Sequence, residues 1–388
     1  MAKILAVGGG SGGHVTPVVA VFSELKKTGD HELRFWCDKK FGTSARGIFA
    51  RFDPYIPVET ISAGKLRRYH GMTIWQQLAP SILLPNVCDM AKVVVGFCQS
   101  FIKLIKWRPD VVFIKGGYVC LPVGYAARIL RIPLVLHDSD AHPGLTNRLL
   151  APFARAIGTG APLEYYTYPP EKTTYVGIPV ASEFRPYSPE EQRALKRKLQ
   201  FDPDRPLVVV TGGGLGAARI NQAVVAARET LLKEASVFLI SGALQYEELK
   251  QMTDERGGWR LQAFVHNGMA EVLAAADVVV TRAGATTLLE LAALHKPTII
   301  IPNGRLTAGH QLKNAKVYQE ALAAVILKEE DLDEAGQVLS KKITQLLKSP
   351  KILRGLGNNF GKFAKPDAAH DMAKIILTVV RRQGRRRR

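Results

Sequence analysis

Cysteine is scarce in this chain. Only four of the 388 residues are cysteines, and none stands in a Cys-x-x-Cys spacing or a paired framework. Secreted domains held together by disulfides need such a framework, so that class is excluded. Reduced thiols in a cytosolic enzyme are the simple interpretation.

Long apolar runs are also missing. No stretch approaches the roughly 18 consecutive apolar residues of a membrane-spanning helix. The apolar run at residues 1–7 (MAKILAV) is too short for a signal peptide and leads directly into glycines. We therefore expect these residues to form a first β-strand, and we expect the chain not to cross a bilayer.

Acidic residues are few. The chain carries 34 acidic and 53 basic side chains, a formal net charge of +19. A charge of this sign suits nucleic acid, anionic lipid or a polyphosphate ligand, and does not choose among them. Residues 381–388 (RRQGRRRR) contribute six of the positive charges. This tail is predicted to be disordered because like charges repel and none of its side chains can be buried.

Short β-branched runs alternate regularly with helical stretches. The length and a hydrophobic content of 47% are typical of about two globular domains. Buried strands that alternate with helices predict an α/β architecture, with parallel sheets covered on both faces. The predicted strands are residues 4–7, 33–36, 111–114, 134–136, 207–210, 237–240, 278–280 and 298–301.

The region 161–206 interrupts this alternation. It is rich in proline and tyrosine and contains a charged helix near 189–199, so a linker is predicted there. Each half of the chain opens with a strand, a glycine run and a helix, at residues 7–10 (VGGG) and 211–214 (TGGG). We predict two Rossmann-like domains with both glycine loops lining a cleft, because ligands bind beyond the carboxyl ends of such strands.

The first glycine loop, residues 8–14 (GGGSGGH), satisfies the Gly-x-Gly-x-x-Gly pattern, and Asp38 ends the next predicted strand. One interpretation is a dinucleotide site, with Asp38 on a ribose. Another is a tight strand–helix turn without a ligand. His14 favours a third, because an imidazole in the first helical turn points into the cleft with a pKa near neutrality, where a general base is useful.

Three features of the second half suit a nucleotide sugar. The loop 212–219 (GGGLGAAR) offers backbone N–H groups and a helix N terminus to a diphosphate. Glu290 can hold vicinal ribose hydroxyls, although a surface carboxylate is equally compatible. His310 and Gln311, at a helix start, suit sugar hydroxyls, although such a pair is usually a cap.

Six segments occur in order over roughly residues 5–370: 8–17 (GGGSGGHVTP), 108–122 (RPDVVFIKGGYVCLP), 137–148 (HDSDAHPGLTNR), 212–222 (GGGLGAARINQ), 282–290 (RAGATTLLE) and 310–315 (HQLKNA). In this combination the chain resembles the MurG family, bacterial enzymes that add N-acetylglucosamine (GlcNAc) to lipid I to give the cell-wall precursor lipid II. The resemblance implies the GT-B architecture and an inverting transfer from UDP-GlcNAc to the C4 hydroxyl of lipid-linked N-acetylmuramic acid (MurNAc).

The resemblance also implies a domain organisation. Residues 1–178 would form the acceptor- and membrane-facing domain and residues 179–363 the donor domain. A helix at about 364–380 would pack back on the first domain. The implied location is peripheral, at the cytoplasmic face of the plasma membrane.

Roles for individual residues follow from the same resemblance. His14 would act as the catalytic base or assist it, Glu290 would hold the ribose, and the backbone at Val265 would read uracil. No cofactor is expected to be required and no metal ligand is assigned, with a divalent ion at most stimulatory. The implied phosphate- and sugar-binding residues are Ser11, Gly12, Gly13, Asp140, Gly214, Val265, Ala285, Thr286, Thr287, Leu288, Leu289, Glu290, His310 and Gln311.

Several positions near the implied donor depart from the family pattern. Asp140 replaces an asparagine, and Gly214 replaces a serine. After Ile178, Ala181 replaces an arginine for which Arg185 is the candidate substitute. These departures bear on donor choice more than on reaction type.

Apolar residues flanked by cations indicate a membrane-facing surface. We predict that the stretch 75–84 (WQQLAPSILL) dips into lipid, while Lys65 and the arginine tail are attracted to anionic head groups. Residues 93–95 are predicted to belong to an ordinary buried helix.

Three alternatives stay open. A GT-B glycolipid transferase, moving a hexose from a UDP-hexose to a diacylglycerol, is disfavoured by the GGYV and GLTNR segments. A nicotinamide-dependent oxidoreductase leaves residues 212–315 unexplained. A nucleic-acid-binding protein would need aromatic residues interleaved with basic strands, so no nucleic-acid partner is expected. The expected partners are UDP-GlcNAc, undecaprenyl-linked lipid I and an anionic membrane surface.

Overall fold

A computed structural model describes the chain except for residues 11, 66–79, 141–142, 214–215, 255–256, 266–267, 305–309 and 388, and except for the side chains of residues 12, 80–82, 310 and 385–387. The chain divides into two compact units. Unit 1 comprises Met1–Ala181 and Asp367–Arg388, and unit 2 comprises Ser182–Pro366. The division falls three residues after the boundary drawn from the sequence, inside the predicted linker region.

Unit 1 is built on a parallel sheet of seven strands in the order β3-β2-β1-β4-β5-β6-β7. The strands are β1 Lys3–Gly8, β2 Glu32–Asp38, β3 Val58–Ile61, β4 Val111–Gly116, β5 Leu134–Asp138, β6 Ala154–Thr159 and β7 Thr173–Tyr175. The helices are α1 Thr16–Lys27, α2 Gly42–Phe52, α3 Pro80–Trp107, α4 Cys120–Ile129, α5 Leu145–Leu150 and, at the end of the chain, α15 Ala368–Arg387.

Unit 2 is built on a second parallel sheet, of six strands in the order β10-β9-β8-β11-β12-β13. The strands are β8 Leu207–Thr211, β9 Ser236–Ile240, β10 Trp259–Gln262, β11 Val278–Thr281, β12 Thr298–Ile300 and β13 Val325–Ile326. The helices are α6 Pro189–Lys198, α7 Ala218–Ala226, α8 Arg228–Glu234, α9 Tyr246–Met252, α10 Met269–Ala275, α11 Ala285–Ala293, α12 His310–Glu320, α13 Gln337–Leu347 and α14 Pro350–Gly361.

The first strand shows how the sequence specifies these sheets. Ile4 and Ala6 pack in the core on one face of the unit 1 sheet, and Leu5 and Val7 pack in the core on the other face. Side chains alternate across a strand, so a sheet covered on both faces needs an unbroken apolar run. Burial of each large aliphatic side chain contributes roughly 1.5–3 kcal/mol.

Both sheets reverse their winding direction beside their first strand. In unit 1, β1 lies between β2 and β4, and in unit 2, β8 lies between β9 and β11. At such a switch point the two neighbouring connections leave in opposite directions and open a crevice beyond the carboxyl ends of the strands. The two glycine loops follow β1 and β8 and therefore lie at these crevices.

The last helix of the chain belongs to the first unit. Met372, Ile376 and Val379 of α15 join the core that contains Val18 and Phe22 of α1. The helical backbone continues to Arg387, which corrects the expectation of disorder for residues 381–387, while residue 388 lies outside the described residues. Arginine is a good helix former, and cations are favourable at a helix C terminus, so a helix anchored by its apolar face extends into the basic segment.

All eight predicted strands are present in the structure. The prediction missed β3, β6, β7, β10 and β13, of which all except β6 lie at the edges of the two sheets. Edge strands are short and half-solvated, so they lack the continuous apolar run on which the prediction relied.

The long helix α3 carries an exposed apolar stripe, which corrects the prediction of a buried helix at residues 93–95. Val94 is 57% exposed and Val95 49%. The largest exposed apolar side chains of α3, called here the α3 stripe, are Leu83, Leu84, Val87, Met90, Val94, Val95, Ile102 and Ile105. Within the described residues, none of the helices combines the length and apolar character that crossing a bilayer requires.

Candidate functional site

The glycine loop after β1 is held by Asp38, at the end of β2. One carboxylate oxygen of Asp38 accepts a hydrogen bond from the Gly10 N–H at 2.7 Å, and the other accepts from the Phe41 N–H at 3.2 Å. A Cβ at Gly9 would lie 2.5 Å from the same carboxylate, so the loop requires glycine there. Both carboxylate oxygens of Asp38 are thus bonded to the protein backbone and hold the loop.

His14 ends a short 3-10 helix, Gly12–His14, that leads from the loop into α1. Its Nδ1 lies 2.5 Å from the Gly9 carbonyl oxygen. A carbonyl only accepts, so Nδ1 carries the proton and donates it, and Nε2 is the basic nitrogen of the neutral ring. A Cβ placed on Gly116, at the end of β4, would lie 3.3 Å from Nε2. Glycine at that position therefore gives the imidazole room.

The His14 ring is held neutral. Desolvation and then the Lys115 charge lower its pKa to about 4, against opposing effects from the Gly9 carbonyl, Asp140 and Asp38. The ring is therefore neutral at physiological pH with Nε2 unprotonated, and its pKa lies below the near-neutral value expected from the sequence. Gly12 and Gly13 lie in the same 3-10 helix as His14. Ser11 lies outside the described residues.

Charged side chains gather at the carboxyl ends of β4 and β5. Lys115 is only 1% exposed, and its ammonium donates a hydrogen bond to the Ser139 hydroxyl. Desolvation lowers the Lys115 pKa to about 8, although Asp138 and Asp140 oppose the shift. Desolvation and the neighbouring Asp140 raise the pKa of Asp138 to about 6. The family resemblance pointed to Asp140 and did not point to Lys115, with which Asp140 interacts electrostatically.

Two tyrosines from the region taken as a linker complete this cluster. The Tyr168 hydroxyl donates to the Asp138 carboxylate at 2.8 Å, and the Tyr166 hydroxyl donates to the Asp140 carbonyl at 2.7 Å. The rings are stacked, with centroids 5.6 Å apart. The three tyrosines within residues 165–168 could have indicated a hydrogen-bonding role near the site. From the sequence they indicated only a break in the strand–helix alternation.

The glycine loop of unit 2 presents backbone groups. Gly216 has φ +74°, and a Cβ there would lie 2.5 Å from the Ser241 carbonyl oxygen, at the end of β9. Helix α7 follows directly, with Ala217 at its N-cap and no side-chain cap hydrogen bond. Uncapped N–H groups at a helix N terminus bind anions. Gly214, assigned here from the sequence, lies outside the described residues.

Glu290 lies on the second turn of α11, beyond the carboxyl end of β11. The side chain is half-buried, and desolvation raises its pKa to about 8. Its carboxyl group has no hydrogen-bond partner among the described residues. Gly284 is the N-cap of α11 and provides no side-chain cap, so the first N–H groups of the helix are not capped by a side chain.

The neighbours of Glu290 divide into two groups. Ala285, Thr286 and Thr287 form the first turn of α11 and are half-buried. Leu288 and Leu289 are buried in the core, so only their backbone could contact a ligand. The same holds for the buried Val265, whereas the adjacent Phe264 is 48% exposed.

Other residues of the implied donor site have structural partners. The Gln311 amide oxygen accepts from the Asn303 N–H at 2.9 Å and holds the loop after β12. The Arg282 guanidinium donates to the Ile301 carbonyl at 3.1 Å and pairs with Glu329. The His310 side chain lies outside the described part of the chain.

Arg185, the candidate substitute for the missing arginine, has a local partner as well. Its guanidinium pairs with Glu191 at 2.7 Å, and Glu191 completes the capping box with Ser188 at the start of α6. In the described part of the chain, Arg185 thus lies at a helix N terminus, paired with Glu191.

The chain matches known glycosyltransferases along its length. Residues 4–159 match the glycosyltransferase family 28 N-terminal domain and residues 207–372 the family 28 C-terminal domain. The UDP-N-acetylglucosamine--N-acetylmuramyl-(pentapeptide) pyrophosphoryl-undecaprenol N-acetylglucosamine transferase of Clostridium kluyveri is 35% identical over 336 residues, 86% of this chain and 88% of that protein. The second such transferase of Bacillus thuringiensis (strain Al Hakam) is 32% identical over 388 residues, 98% of this chain and 100% of that protein.

The fold also matches a solved structure of a related enzyme. The crystal structure of MurG from Acinetobacter baumannii has a TM-score of 0.70 at 23% identity and covers 97% of this chain and 100% of its own. Two parallel α/β units, each with a glycine loop at its switch point, define a glycosyltransferase of the GT-B architecture. The relatives make the assignment specific: the chain belongs to the MurG family.

Proposed function

We propose that this enzyme transfers GlcNAc from UDP-GlcNAc to the C4 hydroxyl of MurNAc in lipid I, with inversion, and thereby forms lipid II. The observation that carries the proposal is the geometry of His14, whose Nδ1 donates to the Gly9 carbonyl and leaves Nε2 as the unprotonated ring nitrogen. The substrate classes are those in the names of the related transferases. A lipid-linked alcohol needs a base of this kind to become a nucleophile.

In the proposed reaction, His14 Nε2 takes the proton of the C4 hydroxyl as its oxygen attacks the anomeric carbon of GlcNAc. The new C–O bond forms as the bond from the anomeric carbon to the UDP oxygen breaks, and UDP leaves with the electron pair. A single displacement inverts the anomeric centre. The proton resides on the imidazole until solvent removes it.

The leaving diphosphate needs stabilisation where its charge develops. The uncapped start of α7 and the glycine loop before it are suited to this, because N–H dipoles are fixed there before the reaction begins. Removal of one such preorganised donor costs roughly 2.7–4 kcal/mol in other enzymes.

The donor nucleoside would be held by Glu290, whose carboxyl group can bond both ribose hydroxyls. The backbone at Val265 would read uracil, beside the exposed Phe264. Binding would offset the desolvation of this carboxyl group, because a ribose supplies the hydrogen bonds that it has from none of the described residues.

Product analysis tests the reaction directly. Purified protein, UDP-GlcNAc and a soluble lipid I analogue should give a disaccharide product with a β-linkage and an equimolar amount of UDP. UDP-glucose and UDP-galactose serve as competing donors. Transfer of a hexose in preference to GlcNAc, or turnover with a diacylglycerol and none with the lipid I analogue, would contradict the proposal.

We further propose that the protein works peripherally at an anionic membrane, on its cytoplasmic face. The support is the α3 stripe, which recurs at helical spacing from Leu83 to Ile105, about 33 Å of helix. Lys92 and Lys106 lie along one border of the stripe. A helix with this division of apolar and basic faces lies in the interface between lipid and water. Of the predicted patch at 75–84, Leu83 and Leu84 are described, and both are exposed.

Vesicle binding tests the membrane proposal. With phosphatidylglycerol vesicles, the triple variant Leu84→Gln, Val94→Gln, Ile102→Gln should lose the binding that persists at high salt. The matched control replaces three exposed apolar residues of unit 2, Leu244→Gln, Met252→Gln and Ile352→Gln, and should bind normally. Equal binding by both folded triple variants would show that the α3 stripe is not the contact surface.

A further inference from the structure

The segment at the end of β5, residues 138–140, is held by side chains from other elements. The Tyr168 hydroxyl donates to the Asp138 carboxylate at 2.8 Å. The Lys115 ammonium, at the end of β4, donates to the Ser139 hydroxyl. The first two residues of the segment are therefore each fixed through their side chains.

The third residue, Asp140, is fixed through its backbone. The Tyr166 hydroxyl donates to the Asp140 carbonyl oxygen at 2.7 Å and accepts from the Ala161 N–H at 3.2 Å. Its ring stacks on that of Tyr168, with the centroids 5.6 Å apart. This one hydroxyl therefore ties the segment after β5 to the segment after β6.

Close packing against Gly160 restricts the segment further. The Gly160 N–H donates to the Asp138 carbonyl at 2.7 Å. A Cβ on Gly160 would lie 2.7 Å from the Ser139 carbonyl oxygen, so the two backbones are already in contact there. The segment after β5 has no room to move towards β6.

This arrangement leads from the core to the edge of the sheet where ligands bind. Asp138 is 4% exposed, whereas Asp140 is half-buried beyond the carboxyl end of β5. The family resemblance assigns Asp140 to sugar binding. A carboxylate can accept hydrogen bonds from sugar hydroxyls, but only where the protein holds it at the right distance, since small displacements weaken such contacts strongly.

We propose that Tyr166 is a positioning residue for sugar binding. Its hydroxyl bridges the Ala161 N–H and the Asp140 carbonyl, and thereby holds the Asp140 carboxylate where it accepts hydrogen bonds from the hydroxyls of GlcNAc. This inference rests on the proposed function, in which the sugar is GlcNAc. Tyr166 acts through the backbone of residue 140 and contacts no substrate itself.

Ligand binding tests the role of the hydroxyl. Tyr166→Phe removes it and keeps the ring that stacks on Tyr168. The Kd for UDP-GlcNAc, measured by calorimetry, should rise about 3- to 10-fold, as expected for one lost hydrogen bond. The Kd for UDP should stay unchanged because UDP lacks the sugar. Equal weakening of both ligands together with a lower melting temperature would reduce Tyr166 to a structural residue and overturn the inference.

Tyr125 provides a matched control in the same unit. It is a half-buried tyrosine of α4 whose ring packs against Phe153. Tyr125→Phe also removes one tyrosine hydroxyl from unit 1, and it should leave both affinities at their wild-type values.

A double-mutant cycle shows whether Tyr166 acts through Asp140. Asp140→Ala removes the carboxylate that is held in place, so Tyr166→Phe should weaken UDP-GlcNAc binding in the wild-type background and have no further effect in the Asp140→Ala background. The same fold-loss in both backgrounds would overturn the inference, and so would unchanged UDP-GlcNAc affinity in folded Tyr166→Phe.

Hydrogen exchange tests the contact without any substrate. The Ala161 amide should exchange faster in Tyr166→Phe, while the Gly160 amide, bonded to the Asp138 carbonyl, should keep its protection. Unchanged exchange at Ala161 would show that the hydroxyl bridge is absent.

The cycle is run with whichever UDP-sugar the wild-type enzyme turns over. A wrong donor in the proposed function would therefore be seen in the wild-type products, whereas a wrong role for Tyr166 would be seen in the cycle.

Discussion

The two glycine loops share a local design and differ in their surroundings. Each follows the strand at the switch point of its sheet and leads into a helix. The loop after β1 has titratable groups around it, with His14 bonded to Gly9 and Asp38 bonded to Gly10. The loop after β8, residues 212–217 (GGGLGA), has no titratable side chain of its own.

This difference between the two loops shows how one topology can serve both anion binding and proton transfer. Parallel strands bring backbone N–H groups and a helix N terminus to the crevice in both units, which is enough to bind an anion. Proton transfer requires a side chain with a suitable pKa as well. The first loop leads directly to such a side chain, His14, whose pKa is set by desolvation and by charges from three other elements.

Removal of the His14 imidazole should have the largest effect on activity of the changes considered. We expect His14→Ala to lower kcat by roughly 10²- to 10⁴-fold and to leave UDP affinity unchanged, because the nucleotide is assigned to unit 2. Steady-state kinetics with the lipid I analogue and calorimetric UDP titration measure the two effects. His370→Ala, which removes an exposed histidine of α15, is the control. A weaker acceptor affinity at normal kcat would reduce His14 to an acceptor-binding residue.

Loss of the unit 2 carboxyl group should have the complementary effect. Glu290→Ala should weaken UDP binding by about 10- to 100-fold, because the two hydrogen bonds between its carboxyl group and the ribose hydroxyls contribute roughly 0.5–1.5 kcal/mol each. The imidazole of unit 1 should titrate as before. Glu229→Ala, on α8 of the same unit, controls for the loss of a carboxylate from unit 2. Normal UDP affinity in Glu290→Ala would mean that the ribose is held elsewhere.

The two sites should also respond to opposite ends of the pH range. The His14 pKa falls from 6.5 to about 4 on folding, so the unfolded chain binds more protons and stability is lost as pH falls below 6.5. The Glu290 pKa rises from 4.5 to about 8, so the native state holds the proton and stability is lost as pH rises from 4.5 towards 8.

Two variants that remove the titratable group test this contrast, and their expected effects are the smallest. His14→Gln should raise the melting temperature at pH 5 relative to wild type and have little effect at pH 8. Glu290→Gln should do the reverse. Shifts of about 2–4 °C per kcal/mol are expected for units of this size. Parallel pH profiles for both variants would show that these environments do not set the two pKa values.

Much of the fold could be predicted from local pattern. The central strands of both sheets were predicted because they are buried on both faces, and burial on both faces requires continuous apolar runs such as 207–210. The edge strands were missed because an edge relaxes that requirement. The extension of α15 through the basic tail was missed because repulsion was considered without the packing that anchors the helix.

The candidate site was predictable only in part. His14 and Glu290 could be proposed because they stand at fixed offsets from glycine loops or strand ends. The donor list was too wide, since the pattern of residues 282–290 does not distinguish the half-buried Thr286 from Leu288, which packs in the core. The direction in which each side chain of a helix points is settled by what the helix packs against.

By itself, the sequence determined that this chain forms two parallel α/β units with glycine loops after their first strands, because backbone sterics and apolar periodicity are local properties. Only the tertiary structure decided the protonation of the site. Asp38, Lys115 and Asp140 come from β2, β4 and the end of β5 and meet around His14 through strand order. A pKa depends on distance and burial in space, and neither can be read from separation along the chain.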